Sequence, residues 1–529
     1  MANTKIDFIG KWDTFHNNGE RDTKMLLNTR LAKAGSMPAI ELYKDAAQEI
    51  QRLIKAAADE GEGLRAYGSA WSLSHIAHHP DRMQYNRSMN IKMPILPGNL
   101  HADSEYQAEN LFFIQCGNII RQISEYLFEH GKSLKTTGAS NGQTIAGAIS
   151  TGVHGSAFDF GAVPDYVVGL NLIVGPNTDD IVYLERASKP ALNDAFATQI
   201  NARVIRNDDL FNAALVGLGS FGFIHGVVIE VEDRYLLKRY VRKIDKETAL
   251  KVADTLNFEE LAAIFPEEID GNGQARRPYH YKVFINPYKE NDPYVLEVWY
   301  KNAYHDNYPD PKVVLKKTLY QDLLTLFIKV IGKSPHIIPS LINLLKEQFL
   351  PPLDTIVEAP LKDICWNALH QGPAFACSVG IDQRDSSKAT ALLIELVNKF
   401  PIPGICCLRF VKASTASLGF TKFPVTCAME MDGVLWKGTD QIISPEKFYW
   451  KFIETLKEND IPFTLHWGKN AAWDFPGLAE HMYGADAIRN WKTQRSALLG
   501  KAMAKVFSND FLDTLGLSEY IDNVQPMPA

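Results

Sequence analysis

The chain has 529 residues, 46% apolar and 22% charged, and a formal charge of −7 from 55 Lys and Arg against 62 Asp and Glu. That length exceeds what one simple core supports, so two or three domains are expected. The acidic balance, with no basic tract, argues against nucleic acid as a partner.

The six cysteines (Cys116, Cys365, Cys377, Cys406, Cys407 and Cys427) form no CxxC pair. Neither a metal site nor a disulfide framework is expected, and a reducing, cytoplasmic home follows. The start "MANTKIDFIGKWDTF" has no long apolar core and no cleavage pattern, and no apolar run reaches the roughly 18 residues a spanning helix needs. No signal peptide and no transmembrane segment are expected.

From Pro38 the chain reads as a strand, "AIELYKD", and then a helix, "DAAQEIQRLIKAAADEG", ended by glycine. "LRAYG" and "LFFIQCG" are predicted strands, and "NIIRQISEYLFEHGK" is an amphipathic helix closed by Gly131. A glycine-rich stretch, 136–161, comes next. "DYVVGLNLIVG" and "IVYLE" are strands, and "DDLFNAALVGLGSFGFIHGVVIEVEDRY" is a helix, a glycine turn and a long strand. This α+β block is expected to span 33–235. From 236 the pattern becomes antiparallel: "HYKVFINPY", "YVLEVWYK", "FACSVGID", "GICCLRFV" and "VTCAMEMDG" alternate like half-buried strands, with helices between them. A second domain over 236–464 is expected, and then a C-terminal segment, 465–529, that opens with "LHWGKNAAW". The apolar segment 315–352 reads as core helices, as a lid over a hydrophobic substrate, or as a membrane-surface contact.

The stretch 136–161 holds six glycines, four threonines, three serines and four alanines in 26 residues. Fixing so much glycine is unfavourable unless the backbone must approach something closely. Exposed amides and short hydroxyls suit an anionic or heteroaromatic cofactor. No GKS or GKT follows, so this is not a Walker loop. "GLGSFG" at 217–222 follows a helix and opens a strand, the reverse of the Rossmann order. With "RAYGSAWSLS" at 65–74, three such segments suggest one large cofactor touched at several points.

Together the three segments resemble the FAD-binding domain of the vanillyl-alcohol-oxidase-type (PCMH-type) flavoproteins, over roughly 35–235. "RAYGSAWS" resembles the loop that wraps the pyrophosphate, "GASNGQTIAGAISTGVHGS" the segment along the flavin, and 217–231 the segment near the adenine. "HGS" after "STG", "LHWGKN" at 465–470 and "LRFVKASTASLG" at 408–419 resemble the aldonolactone and alditol oxidase branch, with type II cholesterol oxidases as relatives. The implied fold is α+β: a two-subdomain PCMH-type domain, an antiparallel-sheet substrate domain with helices, and a C-terminal segment returning to the flavin. The implied FAD contacts are Tyr67, Gly68, Ser69, Ala70, Trp71 and Ser72 in the first loop. In the second they are Gly138, Gln143, Thr144, Gly147, Ala148 and Ser150, continuing through Thr151, Gly152, His154 and Gly155. Ile224 and Lys469 complete the set.

Two departures from the family pattern matter. Trp71 stands where many members carry the histidine that bonds covalently to flavin, so FAD is expected without a covalent link; "HIAHHPD" reads as exposed loop. Cys407 stands where the sugar-oxidising branch has a glutamate two residues before the arginine, so polyol recognition is in doubt.

Oxidising an alcohol with flavin needs a base, a hydride acceptor and cations that stabilise negative charge. Arg409, on an apolar strand, is a candidate for substrate orientation; the alternative is a plain ion pair. Glu430 lies between methionines, where burial would raise its pKa and suit a base. An opposing strand would set it beside Arg409; the alternative is a solvent-facing residue. Lys469, by resemblance, reaches substrate and flavin, supported by His466 and Asn470. His154 reads as a flavin-edge residue, Ser156 is placed on the substrate side, and His225 near the adenine.

The expected function is an FAD-dependent oxidoreductase that oxidises a CH–OH group by hydride transfer to flavin N5, with O2 or another acceptor. The alcohol is a sugar, lactone or polyol, or an apolar one such as a sterol. A non-catalytic flavin-binding protein and a flavin reductase of the UDP-sugar type are the rivals.

Overall fold

The computed structural model describes residues 1–33, 35, 37–289, 291–311, 335–365 and 373–524. Three large sheets and two two-stranded ribbons occur among the described residues. The first orders its strands Asn3–Asp7, Met25–Arg30, Arg82–Tyr85 and Leu64–Tyr67. It therefore draws in residues ahead of the expected boundary at 33. A helix, Ala39–Glu60, covers it, and the strand expected over 39–45 is its first two turns. Leu42, Tyr43, Ala46, Ala47, Ile50, Leu53, Ile54 and Ala57 form one buried stripe at helical spacing. That stripe begins before Asp45, and Pro38 and Gly61 bracket the helix.

The second sheet orders Arg203–Arg206, Ile181–Glu185, Val167–Ile173, Phe223–Glu230, Leu111–Gln115 and Lys92–Pro94. The short helix Ile145–Thr151 lies in the glycine-rich stretch. The chain crosses to the third sheet between Glu230 and Tyr235.

That sheet has eight antiparallel strands, ordered Ile356–Pro360, Tyr235–Ile244, Tyr294–Ala303, His280–Ile285, Gly404–Lys412, Val425–Val434, Ala374–Asp382 and Phe463–Leu465. Alternation gives it two unlike faces. One face carries Tyr281, Val283, Leu408, Phe410, Cys427, Met429, Val379 and Ile381, all buried. It packs under the helices Lys246–Thr255 and Ser386–Lys399; the Tyr281 hydroxyl donates to the Ala249 carbonyl at 3.0 Å. Burying each such apolar side chain contributes about 1.5–3 kcal/mol. The other face carries Arg239, Trp299, His280, Lys282, Arg409 and Glu430. It is buried as well, and it looks toward the glycine-rich stretch: Thr137 Oγ1 lies 3.1 Å from Cys365 Sγ, just beyond strand Ile356–Pro360.

After Leu465 the chain turns back to the first two sheets and runs into the helix Ala485–Val506, whose Trp491 indole donates to the Ala213 carbonyl at 3.1 Å. One apolar core runs from Met25 to Leu517. Of the segment 315–352, positions 315–334 lie outside the described residues; Ile338–Phe349 is a helix with Ile338 and Ile342 buried. Among the described residues no helix is long and apolar enough to cross a membrane.

Candidate functional site

The first two glycine-bearing segments meet each other directly. A Cβ on Gly68 would stand 2.1 Å from Thr144 Oγ1, and one on Gly142 would stand 2.3 Å from Trp71 Cζ3. Only glycine allows these approaches. The Trp71 ring is pinned from its other side by Phe15, stacked at 4.7 Å and 11°. Ala70 adopts a left-handed φ of 52°, and its carbonyl accepts from the Phe15 amide at 2.8 Å. The C-terminal turn joins the same place: the Leu73 amide donates to the Gly468 carbonyl at 2.8 Å, and Ser74 Oγ to the Trp467 carbonyl at 2.5 Å. Residues hundreds of positions apart thus build one wall.

The same turn, 465–470, is fastened to the polar face of the eight-stranded sheet. The His466 amide donates to the Ser378 carbonyl at 3.1 Å, and the Asn470 amide to the Ala376 carbonyl at 2.8 Å. Lys469 is thereby held over Glu430, with which it forms an ion pair; Arg409 Nε stands 3.0 Å from the other Glu430 oxygen. The opposing strands are Gly404–Lys412 and Val425–Val434, with Cys407 opposite Glu430. The acid absent at Cys407 is therefore present on the next strand.

The raised pKa expected for Glu430 is not what its surroundings produce. Burial does push it up, but Arg409 and then Lys469 pull harder, and the carboxyl sits well below the usual range. It is a fixed anion and a poor base. Asp432, two residues on along the same face, is raised by burial, only partly offset by Lys469. His154 and His466 flank the cluster with ring centroids 5.4 Å apart. Burial, with Arg409, drives His154 well below 6.5, and burial, with Lys469, drives His466 to about 3. Both are neutral. Backbone groups set their tautomers. His154 Nδ1 lies 3.1 Å from the Gly155 carbonyl and so carries the proton, leaving Nε2 as a buried lone pair without a partner. His466 Nδ1 accepts from the Gly468 amide at 3.1 Å, so its proton is on Nε2.

The other expected residues sort by what they touch. Tyr67 ends strand Leu64–Tyr67 against Trp12, and Ser69 Oγ accepts from Arg87 at 3.3 Å. Ser72 lies between Trp71 and the bonded Leu73. The Gly138 carbonyl accepts from Thr137 Oγ1, and the Ala148 amide donates to the Thr144 carbonyl. Ser150 and Thr151 turn their hydroxyls back on the Ala146 and Gly147 carbonyls, and Gly152 ends that helix. Ile224 sits in mid-sheet opposite Leu172. Ser156 is buried, but among the described residues no hydrogen bond ties it to the Arg409 cluster. Asn470 engages its side-chain oxygen with the Ala376 amide at 3.2 Å. His225 stacks on Tyr43 at 4.0 Å inside the second sheet. The 75–79 loop is not the exposed loop expected: His78 is buried, and His75 and His79 are partly so, folded under the N-terminal strands.

The residues fit an FAD group. Thr136 Oγ1, Asn141 Oδ1, Gln143 Oε1 and His154 Nε2 are buried without hydrogen-bond partners along the 136–155 segment. Orphaned polar atoms beside a glycine cradle are what a polar, planar ligand would satisfy. No group of three or more His, Cys, Asp or Glu suited to a metal ion occurs among the described residues.

Arg239, Trp299, His280, Lys282 and Asp432 on the polar face had not been singled out. Their signal was present as alternation: His280 and Lys282 alternate with Tyr281 and Val283, Glu297 and Trp299 with Leu296 and Val298. Alternation marks a polar face, and a polar face ordinarily means solvent.

Residues 38–178 match the FAD binding domain family. The chain is 26% identical over 221 residues to D-arabinono-1,4-lactone oxidase of Kluyveromyces lactis, covering 41% of this chain and 37% of that protein. It is likewise 26% identical over 221 residues to the Candida glabrata protein of the same name, covering 42% and 37%. The match thus spans about 37% of the length of these curated relatives. Among solved structures, cholesterol oxidase from B. sterolicum superposes with a TM-score of 0.68 at 14% identity, covering 97% of each chain. A solvent-stable cholesterol oxidase gives 0.67 at 14%, covering 96% and 97%. That likeness extends over the whole fold, including the eight-stranded sheet. Residues 38–178 thus carry an FAD-binding domain, and the chain is similar in sequence to D-arabinono-1,4-lactone oxidases and in fold to the cholesterol oxidases.

Proposed function

We propose that this protein is an FAD-dependent oxidoreductase that converts a CH–OH group to a carbonyl, with O2 or another acceptor taking the electrons onward. The observation that carries this is the buried cluster of Arg409, Glu430 and Lys469, held against the flavin segment by the 465–470 turn. FAD, when bound, supplies the hydride acceptor. This chain's residues do the rest. Two cations against one anion leave a surplus positive charge, which favours an oxygen that gains negative charge as its proton leaves. Glu430 keeps both cations in place. The buried lone pair of His154 Nε2 accepts a hydrogen bond from the substrate hydroxyl and orients it, and His466 Nε2–H is a donor beside it. The FAD contacts expected in the two turns, with Ser156 and Asn470 at the substrate edge, form part of the same proposal, as do the domain limits at 235/236 and 464/465, with the cofactor domain beginning ahead of 33 to take in the N-terminal strands.

FAD is held without a covalent link. Trp71 fills the linking position, and the histidines of the loop that follows are engaged elsewhere: His75 with the Gly19 carbonyl at 3.3 Å, His78 with the Asp22 carbonyl at 2.8 Å, His79 with the Asp81 amide at 3.0 Å. The polar face of the sheet, together with the lactone oxidase name of the relatives, favours a hydroxylated polar substrate over a sterol-like one. Six buried, unbridged cysteines support a cytoplasmic location.

The test begins with the purified protein's visible spectrum before and after acid precipitation. Flavin in the supernatant supports the noncovalent reading, and flavin in the pellet refutes it. Anaerobic mixing with a panel of sugars, lactones, polyols and sterols follows. Bleaching of the flavin by at least one alcohol is expected; a bound flavin that none of them reduces would overturn the oxidoreductase reading.

A further inference from the structure

We propose that the polar face of the eight-stranded sheet carries an anion-binding subsite, formed by Arg239, Trp299, His280 and Lys282, that holds a carboxylate or phosphate of the substrate away from the carbon being oxidised. The link to a substrate rests on the oxidoreductase reading above; the anion binding does not.

The register places these groups together. Arg239 lies opposite Trp299, and Trp299 opposite His280, on three adjacent strands. Two residues along, on the same face, Glu297 lies opposite Lys282, and Lys282 opposite Arg409. The subsite is therefore continuous with the Arg409 cluster. Arg239 and Arg409 stand three strands apart, about 14 Å at ordinary strand spacing.

Arg239, Trp299 and His280 are buried, Lys282 is half-buried, and much of their hydrogen-bonding capacity is unused. Arg239 and Trp299 are 8% exposed and His280 is 6% exposed. Arg239 Nε, Trp299 Nε1 and His280 Nε2 have no hydrogen-bond partner. The nearest counter-charge to Arg239 is Glu297, at 3.7 Å, beyond hydrogen-bond reach. His280 stacks on Trp299 at 4.4 Å, which orients both rings. Lys282 lies over the Phe284 ring at 4.2 Å and has no ion pair among the described residues. A guanidinium, an indole N–H and an ammonium can only donate.

Charge points the same way. The face holds Arg239, Lys282, Arg409 and Lys469 against Glu297 and Glu430, while Asp432 is raised by its burial. Four cationic groups face three carboxyls, one of them harder to ionise through its burial, so the face carries an excess of positive charge. Buried charge without a partner is strongly unfavourable. An anionic group on the ligand would answer that excess. A neutral sugar or a sterol would leave these donors unsatisfied.

The test titrates the FAD-loaded protein by calorimetry with inorganic phosphate and, separately, with glutarate, so that the two anion chemistries are told apart. Binding of at least one probe is expected, weakened about tenfold or more in Arg239→Met, the loss of roughly one charge-assisted hydrogen bond. Trp299→Phe keeps the ring, removes the donor, and should weaken binding by a smaller factor. It carries the test if Arg239→Met fails to fold. No binding of either probe at tens of millimolar, or binding unchanged in these variants, overturns the proposal. Neither readout needs turnover. A protein that binds phosphate but oxidises no alcohol would keep the subsite and refute the activity; one that oxidises alcohols but binds neither anion would do the reverse.

Discussion

Replacing Glu430 by Gln removes one charge from the buried cluster and almost nothing of its shape. The Glu430 and Arg409 side chains are 4% and 5% exposed, and Lys469 is 19% exposed. Taking one partner from a buried ion pair costs about 3–5 kcal/mol, because the remaining charge has no water to return to. The partly exposed Lys469 adds about 1 kcal/mol at most, so the Arg409 contact dominates. Glu430→Gln should therefore lose about 3–5 kcal/mol, roughly a thousandfold in the folded-to-unfolded ratio. Replacing all three residues by methionine gives the opposite expectation. With none of the cluster's three charges left buried, that variant should lie within about 1 kcal/mol of the parent. The assay is urea unfolding followed by circular dichroism, at one FAD concentration throughout, since ligand binding itself adds stability. A Glu430→Gln protein within about 0.5 kcal/mol of the parent, or a triple variant less stable than the single one, would refute the account of the cluster.

Lys469→Met should slow flavin reduction by alcohol about 100- to 1,000-fold, the scale set by losing one stabiliser of developing charge, while FAD stays bound; unchanged reduction kinetics would remove Lys469 from the mechanism. Gly142→Ala should release FAD, since its Cβ would land 2.3 Å from a Trp71 ring that Phe15 stops from moving. A smaller side chain at 71, as in Gly142→Ala with Trp71→Leu, should restore the flavin-to-protein absorbance ratio, and full occupancy in the single variant would contradict the close approach. Acid should destabilise the fold from an early point. His225, His280 and His466 are held near 3, and His154 well below 6.5, by burial above all. Their folded pKa values lie below the unfolded value, so the stability they contribute is complete above about pH 6.5 and declines as pH falls toward 3. At pH 5.5 each of the three held near 3 removes about 1 kcal/mol; a urea midpoint equal or higher at pH 5.5 than at 7.5 would show that they are not buried neutral.

How far the site could be read in advance depended on how local its cause was. The glycine cradle was legible because each approach is demanded of one residue, Gly68 or Gly142, and only glycine meets it. Arg409 and Glu430 on neighbouring strands were legible because each lies in an apolar run of strand length and the two runs follow one another in the chain. The protonation of Glu430 was not, since it depends on Lys469, which reaches it only because Ser378 and Ala376 fasten the 465–470 turn. Residues 39–45 were misread because a few alternating residues fit a strand as well as a helix; only the stripe carried on through Ala57 decides between them. Arg239, His280 and Trp299 illustrate the hardest case. Each is an ordinary polar residue on an alternating strand, and they are 41, 19 and 60 positions apart pairwise in the chain. They become unusual only when the sheet brings them onto neighbouring strands and the flavin-side segments close over them. What sets this protein's substrate is therefore not carried by the motifs that reveal its cofactor. The cofactor is held by short contiguous turns, while the charges that would choose a ligand are dispersed over the sheet and acquire their meaning from burial.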